Sequence, residues 1–296
     1  MQNLPSTVDL HTHTTASDGE LSPVQLVAQA AVAGVSVLAV TDHDAIAALG
    51  EARQACSEQG IELIAGVEIS SRWNNMDIHV VGLGIDEQDS RFIGRLQRQM
   101  DRRRERAQLM AQRLAKLGYP GLLEKAAESA PQQIPARPHF ADALVKVGAC
   151  KDRKQAFQRY LAQAKPGYVK TDWPDLIDAV RWIREAGGVA VLAHPGRYKL
   201  TRTKLERLVK TFADAGGQAL EVSVATYGPE MVKQIADLAE KYGLYASQGS
   251  DYHGPSMRWV QLGRMPALPG RCRPVLELLA QKARLRESTS ESNGSS

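Results

Sequence analysis

The chain has 296 residues and 32.3 kDa, with 43% hydrophobic and 24% charged residues, which suits one large core or two modest ones and excludes a disordered chain. No apolar stretch reaches the roughly 20 residues of a bilayer helix, residues 1–8 lack the pattern of an export signal, and Cys56, Cys150 and Cys272 form no CxxC pair. A membrane protein, a disulfide scaffold and a thiolate zinc site are therefore excluded, and a cytoplasmic protein with reduced cysteines is expected. The net charge of +4 is unevenly spread, because residues 98–170 hold 16 Lys and Arg against 6 Asp and Glu while the remainder is acidic.

Short apolar or β-branched runs alternate with longer amphipathic ones, the order of strands and helices in an α/β domain with a parallel sheet. The strand-like runs are 8–13, 35–41, 61–69, 78–85, 189–194, 219–224 and 244–250. Ser22-Pro23, Asp172-Trp173-Pro174 and Gly228-Pro229 read as helix starts, and Gly34, Gly60, Gly187, Gly216 and Gly243 as helix stops. Between 89 and 167 the alternation gives way to helices at 91–117, 122–129, 137–147 and 151–164, punctuated by Pro120, Pro131, Pro135 and Pro166. Residues 1–88 and 168–286 thus read as two parts of one α/β body and 89–167 as an all-helical insertion. Arg102, Arg103, Arg104 and Arg106 read mainly as a solvated face of its first helix, and the positive field as a means of steering anionic chains. The Ser-rich residues 287–296 are expected to be a disordered tail.

Six of the seven histidines, His11, His13, His43, His79, His194 and His253, fall at or near strand ends, as do Asp18, Glu68 and Asp251. In a parallel α/β barrel the C-terminal strand ends share one rim, so these distant residues would meet there. His79 fits least well, since it begins its run. His11 and His13 alternate along a strand and so point to one side, as chelation requires. Each residue alone has a bland explanation, and Asp44 reads as a helix cap; the coincidence of all nine does not. Imidazole and carboxylate without thiolate suit borderline divalent ions such as zinc, manganese or iron, and nine donors imply two or three of them. Ions a few Å apart can bridge a hydroxide and hold a phosphoryl group, the chemistry of phosphoester hydrolysis. No nucleophile elbow or phosphate-cradling glycine loop competes.

His11-x-His13 with Asp18, Thr41-Asp42-His43-Asp44, Gly66-Val67-Glu68, Ile78-His79, Ala193-His194-Pro195 and Gly249-Ser250-Asp251-x-His253 together resemble the ordered motifs of the PHP (polymerase and histidinol phosphatase) superfamily. Thr14-Thr15-Ala16-Ser17-Asp18-Gly19, His194-Pro195-Gly196-Arg197-Tyr198 and Ala246-Ser247-Gln248-Gly249-Ser250-Asp251 further resemble its bacterial branch of 5′-to-3′ exoribonucleases and nucleoside-3′,5′-bisphosphate phosphatases. The resemblance implies a distorted seven-stranded (β/α) barrel with a helical insertion, and three divalent metals, usually manganese, with zinc, iron or magnesium as alternatives. One would lie on His11, His13, Glu68 and Asp251, a second on Glu68, His79 and His194, and a third on Asp18, His43 and His253.

The expected substrates are 5′-phosphorylated RNA or short oligonucleotides and nucleoside 3′,5′-bisphosphates such as pAp. Arg137-Pro138-His139 sits at a turn-to-helix junction, where an arginine and free helix N–H groups can hold a terminal phosphate. The branch has an arginine and a histidine at these positions, and His139 is read either as a helper there or as a surface residue. Arg197, three residues past His194, is a second phosphate candidate. The two-phosphate spacing explains both activities: one phosphate is attacked while the neighbouring 5′-phosphate is held. Tyr198 and Tyr252 read as base-stacking candidates, ahead of Trp173, Trp182 and Trp259. A histidinol-phosphate phosphatase or another small-molecule phosphatase is the nearest alternative, and a nucleic-acid-binding module with a vestigial site a more distant one.

Overall fold

A computed structural model describes residues 7–130 and 134–293 of the chain, with side chains to 286. Residues 1–6, read above for an export signal, and Pro131 lie outside the described residues. Seven strands form one sheet in chain order: β1 Thr7–Asp9, β2 Val35–Val40, β3 Glu62–Trp73, β4 Met76–Leu83, β5 Val189–Leu192, β6 Ala219–Val224 and β7 Tyr245–Gly249. All seven coincide with the apolar runs, but the sheet is not wholly parallel. β4 runs antiparallel to both β3 and β5. The cause is a two-residue hairpin at Asn74-Asn75, whose φ values of 47° and 63° are the left-handed geometry such a tight connection requires and which asparagine tolerates.

The two edges of the sheet meet. Leu10 N donates to Gln248 O at 3.1 Å, Asp251 N to His11 O at 2.9 Å and His13 N to Tyr252 O at 2.9 Å. One face of the sheet holds Leu10, Ala39, Val81, Leu83, Val189, Val191 and Ala193, packed with Val275 from the start of helix α10, Val275–Asn293. The other face is covered by α1 Pro23–Val32, α2 Leu49–Gln59, α7 Leu176–Glu185, α8 Arg202–Asp214 and α9 Pro229–Lys241. Ser22 caps α1 in a reciprocal box with Gln25, and Gly60 closes α2 with φ 66°, as their residue types favour. α7 buries Leu176, Ala179, Val180 and Ile183 along one stripe. At about 1.5–3 kcal/mol per fully buried large aliphatic side chain, that stripe fixes a helix too short to persist alone.

Between β4 and β5 lie α3 Ser90–Lys116, α4 Leu122–Ala127, α5 Arg137–Lys146 and α6 Arg153–Ala156, the last running into a π-helical turn at Phe157–Leu161. They share an apolar core of their own that includes Met110, Leu114, Leu122, Phe140, Leu144 and Leu161. Arg153 ties this group to the sheet-end loops, donating to Asp142 within the group and to Ser256 outside it.

Of the residues expected to form a disordered tail, 294–296 lie outside the described residues and those up to Asn293 are part of helix α10. Its first turn is anchored by Val275, and each later residue adds a helical hydrogen bond without a new nucleation cost.

Candidate metal centre

The nine residues singled out in the sequence converge at one end of the sheet. His11 and His13 follow β1, with Asp18 in the next turn; His43 follows β2, His194 follows β5, and Asp251 and His253 follow β7. Glu68 lies within β3. His79 lies in the first half of β4 and pairs in register with Ser70, two residues beyond Glu68. The antiparallel direction of β4 resolves its misfit: the start of this strand lies where the parallel strands finish. His194 and Asp251 hold φ of 31° and 55°, strained for side-chain-bearing residues and characteristic of sites whose surroundings over-determine the backbone.

Donor atoms gather in three groups: His11, His13, Glu68 and Asp251; His43, Glu68 and His79; and His13, Asp18, His43 and His253. His11 Nε2 is 3.3 Å from Glu68 Oε2 and from Asp251 Oδ1, and His13 Nε2 is 3.2 Å from Asp251 Oδ1. His253 Nε2 is 3.3 Å from Asp18 Oδ1. Two memberships differ from expectation, with His43 reaching towards Glu68 and His13 joining Asp18. His194 stands outside the three groups, although its Nε2 is 3.1 Å from Glu68 Oε1.

A divalent cation fits these donors. His43 Nδ1 and His79 Nδ1 come within 2.8 and 2.9 Å of the two Glu68 oxygens, yet at angles unsuited to a hydrogen bond. Asp18 Oδ1 and Glu68 Oε2 are likewise buried without a hydrogen-bond partner. Buried polar atoms are paired almost everywhere in proteins, so lone pairs that converge without bonding mark a place for a positive ion. Burial pushes the Glu68 carboxyl up, but His79, His43 and His11 outweigh it and hold it well below the usual carboxylate range. The same balance holds Asp251 low through His11, His253 and Arg197, and Asp18 low through His43 and His253. All three remain anionic donors. Burial, reinforced by His253, lowers His13 to about 3 and keeps its ring neutral.

Three acidic residues that organise the site were given no role in the sequence reading, although Asp42 stands in the motif Thr41-Asp42-His43-Asp44. Glu221 in β6 accepts from the His194 backbone N–H at 2.5 Å and meets His11 Nδ1 at 2.7 Å. Asp9 accepts from Ser250 N at 2.8 Å and Gly263 N at 2.9 Å, fixing the turn before Asp251. Asp42 takes Thr14 N, Thr14 Oγ1 and Ser17 Oγ, shaping the loop that carries Asp18. The available signal was an acidic residue inside an apolar run. Asp44 is not the helix cap expected of it. It is fully buried, accepts from Ser70 N at 2.8 Å and from Arg103 Nε at 2.8 Å, and α2 begins at Leu49 without a side-chain cap.

Beside the donors opens a cleft lined by Asp18, His79, Arg103, Arg106, Arg137 and Trp173 among others. Arg103 and Arg106, three apart on α3, are thus drawn inward by the cleft and by Trp173, whose ring lies 5.4 and 5.8 Å from their guanidinium carbons. Of the four arginines at 102, 103, 104 and 106, only Arg104 keeps the exposed position expected of most of that face. Arg137 opens α5. The helix start offers fewer N–H donors than expected, because Pro138 has none and Ala136 N donates to His139 Nδ1 at 2.9 Å. That bond buries His139 rather than leaving it on the surface, burial lowers its pKa, and its proton is therefore carried on Nε2. Arg197 turns to the metal side, donating to Asp251 and, through Nε at 3.2 Å, to Thr226. Tyr252 is buried with its hydroxyl on Gln29, and Tyr198 takes the His79 N–H, so neither offers the open ring expected of a stacking platform.

An α/β sheet whose strand ends collect nine imidazoles and carboxylates, one of them the buried Glu68, defines a metal-dependent hydrolase of the kind the sequence motifs resemble. The chain belongs to the PHP domain family, whose pattern matches residues 9–223. It is 46% identical over 275 residues to the 5′-3′ exoribonuclease Rnm of Escherichia coli K12, covering 92% of this chain and 94% of that protein. It is 42% identical over 270 residues to a 3′,5′-nucleoside bisphosphate phosphatase of Chromobacterium violaceum, covering 90% and 94%. Among solved structures, an amidohydrolase from C. violaceum with bound sulfate superposes with a TM-score of 0.88 at 40% identity, covering 94% of this chain and 97% of that one. A metal-dependent phosphoesterase from Bifidobacterium adolescentis superposes at 0.79 and 27% identity, covering 94% and 96%. No helix among the described residues is long and apolar enough to cross a membrane.

Proposed function

We propose that this protein is a cytoplasmic phosphoesterase that removes the 3′-phosphate of nucleoside 3′,5′-bisphosphates and releases nucleotides from the 5′ end of 5′-phosphorylated RNA. The observation that carries the reading is the gathering of three donor groups, two of which share Glu68, beside an arginine-lined cleft. The names of the Escherichia coli and Chromobacterium violaceum relatives support the same pair of activities. Free cysteines at 56, 150 and 272 suit a reducing compartment.

The sheet is read as a distorted seven-stranded barrel, supported by the hydrogen bonds between its first and last strands. Residues 89–167 are read as a helical insertion between its two parts, 1–88 and 168–286, supported by their separate apolar core. Three divalent ions, manganese foremost, would be held by His11, His13, Glu68 and Asp251; by Glu68, His79 and His194 with His43 in reach; and by Asp18, His43 and His253. Bound there, divalent ions acidify water and offset charge at phosphorus. Glu68 contributes both oxygens, and its burial keeps the carboxylate from rotating into solvent. Arg137, with His139 Nε2–H, holds the phosphate that is not attacked and so sets one nucleotide as the distance to the reacting phosphorus. Arg197 braces Asp251.

The test is to incubate metal-loaded protein with pAp, a 5′-phosphorylated oligoribonucleotide and histidinol phosphate, with and without chelator. Turnover of the first two, lost on chelation, is expected. Preferential turnover of histidinol phosphate would replace this reading with that of a small-monoester phosphatase.

A further inference from the structure

Helix α1 is uncharged throughout, and its outer face is apolar: Val24, Ala28 and Val32, four residues apart, are all exposed, Val32 at 92%. A surface helix normally turns charged side chains to solvent, so such a face points to something that covers it. Beside it runs the segment after His253, where residues 254–273 hold four arginines and no Asp or Glu. Together the two form an open groove of about 620 Å³, lined by Gln29, Val32, Tyr252, Met257, Arg258 and Arg264 among others. Trp259, between the lining residues Arg258 and Val260, is 72% exposed. Arg271 is held by Asp237 and Glu240, whereas the guanidinium groups of Arg258 and Arg264 have no hydrogen bond or ion pair among the described residues. The groove starts at the metal end: Tyr252, between Asp251 and His253 in the chain, forms part of its wall, and Pro255 follows. Its far end, at Ala33 and Arg264, lies by the start of β2, since a side chain at the adjacent Gly263 would meet Thr7 and Val35.

We propose that this groove binds the single-stranded body of an RNA whose 5′ end lies at the metal centre, Trp259 stacking on a base and Arg258 and Arg264 meeting phosphates. This assignment rests on the exoribonuclease reading and adds to it the surface that holds the uncleaved chain. Charge selects the occupant. A second copy of this chain on the same face would set arginine against arginine with no carboxylate from either wall, whereas a polyanion supplies the missing counter-charge. An uncharged apolar wall, an open indole and free guanidinium groups are the components of sequence-tolerant single-strand binding. Of the rings read from the sequence as stacking candidates, Tyr198 and Tyr252 are engaged elsewhere, and Trp259 is the exposed one.

The experiment uses the metal-loaded full chain with Trp259→Ala, the double variant Arg258→Ala and Arg264→Ala and, as an exposed apolar control on α7, Ile177→Ala, each with its melting curve. kcat/KM is measured for a 5′-phosphorylated decaribonucleotide and for pAp, which has no chain to follow the groove. Affinity for a 5′-hydroxyl decaribonucleotide is followed by fluorescence anisotropy over a salt series. Trp259→Ala should weaken oligonucleotide binding, and lower kcat/KM on the phosphorylated one, by about 5- to 150-fold, the worth of one stacked base. The double arginine variant should flatten the slope of log affinity against log salt by about 1.4, roughly 0.7 for each phosphate contact. Both should turn over pAp like the wild type, and Ile177→Ala should match the wild type on both substrates. Equal losses on pAp and the oligonucleotide, or unchanged oligonucleotide binding and salt slope in folded variants, would overturn the assignment. So would a wild-type dimer that Trp259→Ala converts to a monomer with RNA turnover intact. A wild-type protein that binds the oligonucleotide through Trp259 yet cleaves neither substrate would sink the proposed activity and keep the surface.

Discussion

Glu221 Oε1 lies 2.7 Å from His11 Nδ1, and its other oxygen accepts the backbone N–H of His194. One buried carboxylate thereby orients two donors that stand 183 residues apart in the chain, at positions 11 and 194. Because Nδ1 of His11 is engaged, Nε2 is directed to Glu68 and Asp251. Partners of this kind set ring orientation and raise ligand basicity, and their loss typically weakens metal binding about 10- to 100-fold. Glu221→Gln should therefore lower metal affinity by that order, with activity restored at high metal concentration. Calorimetric titration checks it, and wild-type affinity would show that Glu221 serves packing alone.

The Asp44–Arg103 pair links the loop after β2 to helix α3. Asp44 is fully buried and Arg103 nearly so, at 2.7 Å. Removing one member of such a pair leaves an uncompensated charge in the interior, typically at a cost of about 3–5 kcal/mol. Arg103→Ala should lose stability on that scale in urea denaturation, whereas replacing both residues by apolar ones should lose less. A loss below about 1 kcal/mol in the single variant, the range of exposed pairs, would contradict the description.

The strands were legible because apolar, β-branched runs bounded by glycines are a local signal, and the donors because histidine is scarce and its positions relative to those runs can be counted. Strand direction was not legible. It depends on Asn74 and Asn75 adopting left-handed geometry, which the neighbouring Trp73 and Met76 do not announce. His79 consequently looked misplaced until β4 was seen to run backwards. Glu221, Asp9 and Asp42 share a different reason: each acts by accepting hydrogen bonds from residues distant in sequence, so only the folded chain shows the partner. Arg103 and Arg106 differ from Arg104 solely in what faces α3, which is tertiary information.

Metal binding should release protons. In the metal-free site burial lowers the His253 pKa, but Asp18 and Asp251 outweigh burial and raise it to about 10, so the ring is protonated at neutral pH. A cation must displace that proton to use the nitrogen. Metal affinity should accordingly rise with pH across the neutral range and up towards 10, and fall in acid as donors gain protons. Titrations in two buffers of different ionisation enthalpy measure the protons released. Zero release near pH 7 would refute the protonated state of His253.

Close packing around His11 gives the last prediction. Gly249 ends β7 directly against it: a Cβ added there would stand 2.4 Å from His11 Cβ and 2.9 Å from His11 N, well inside contact distance. Neither neighbour can move cheaply, since the obstacle includes backbone and a ring fixed by Glu221, whose Oε1 would itself lie 3.1 Å away. Overpacking of this sort costs about 1–3 kcal/mol and is relieved by displacing the side chain in the way. Gly249→Ala should therefore damage the site more than the fold. The expected result is a melting temperature lowered by several degrees, about what 1–3 kcal/mol produces in a chain of this size, with metal content and phosphoesterase activity reduced disproportionately. Full metal content and activity in the variant would mean that His11 has room to yield.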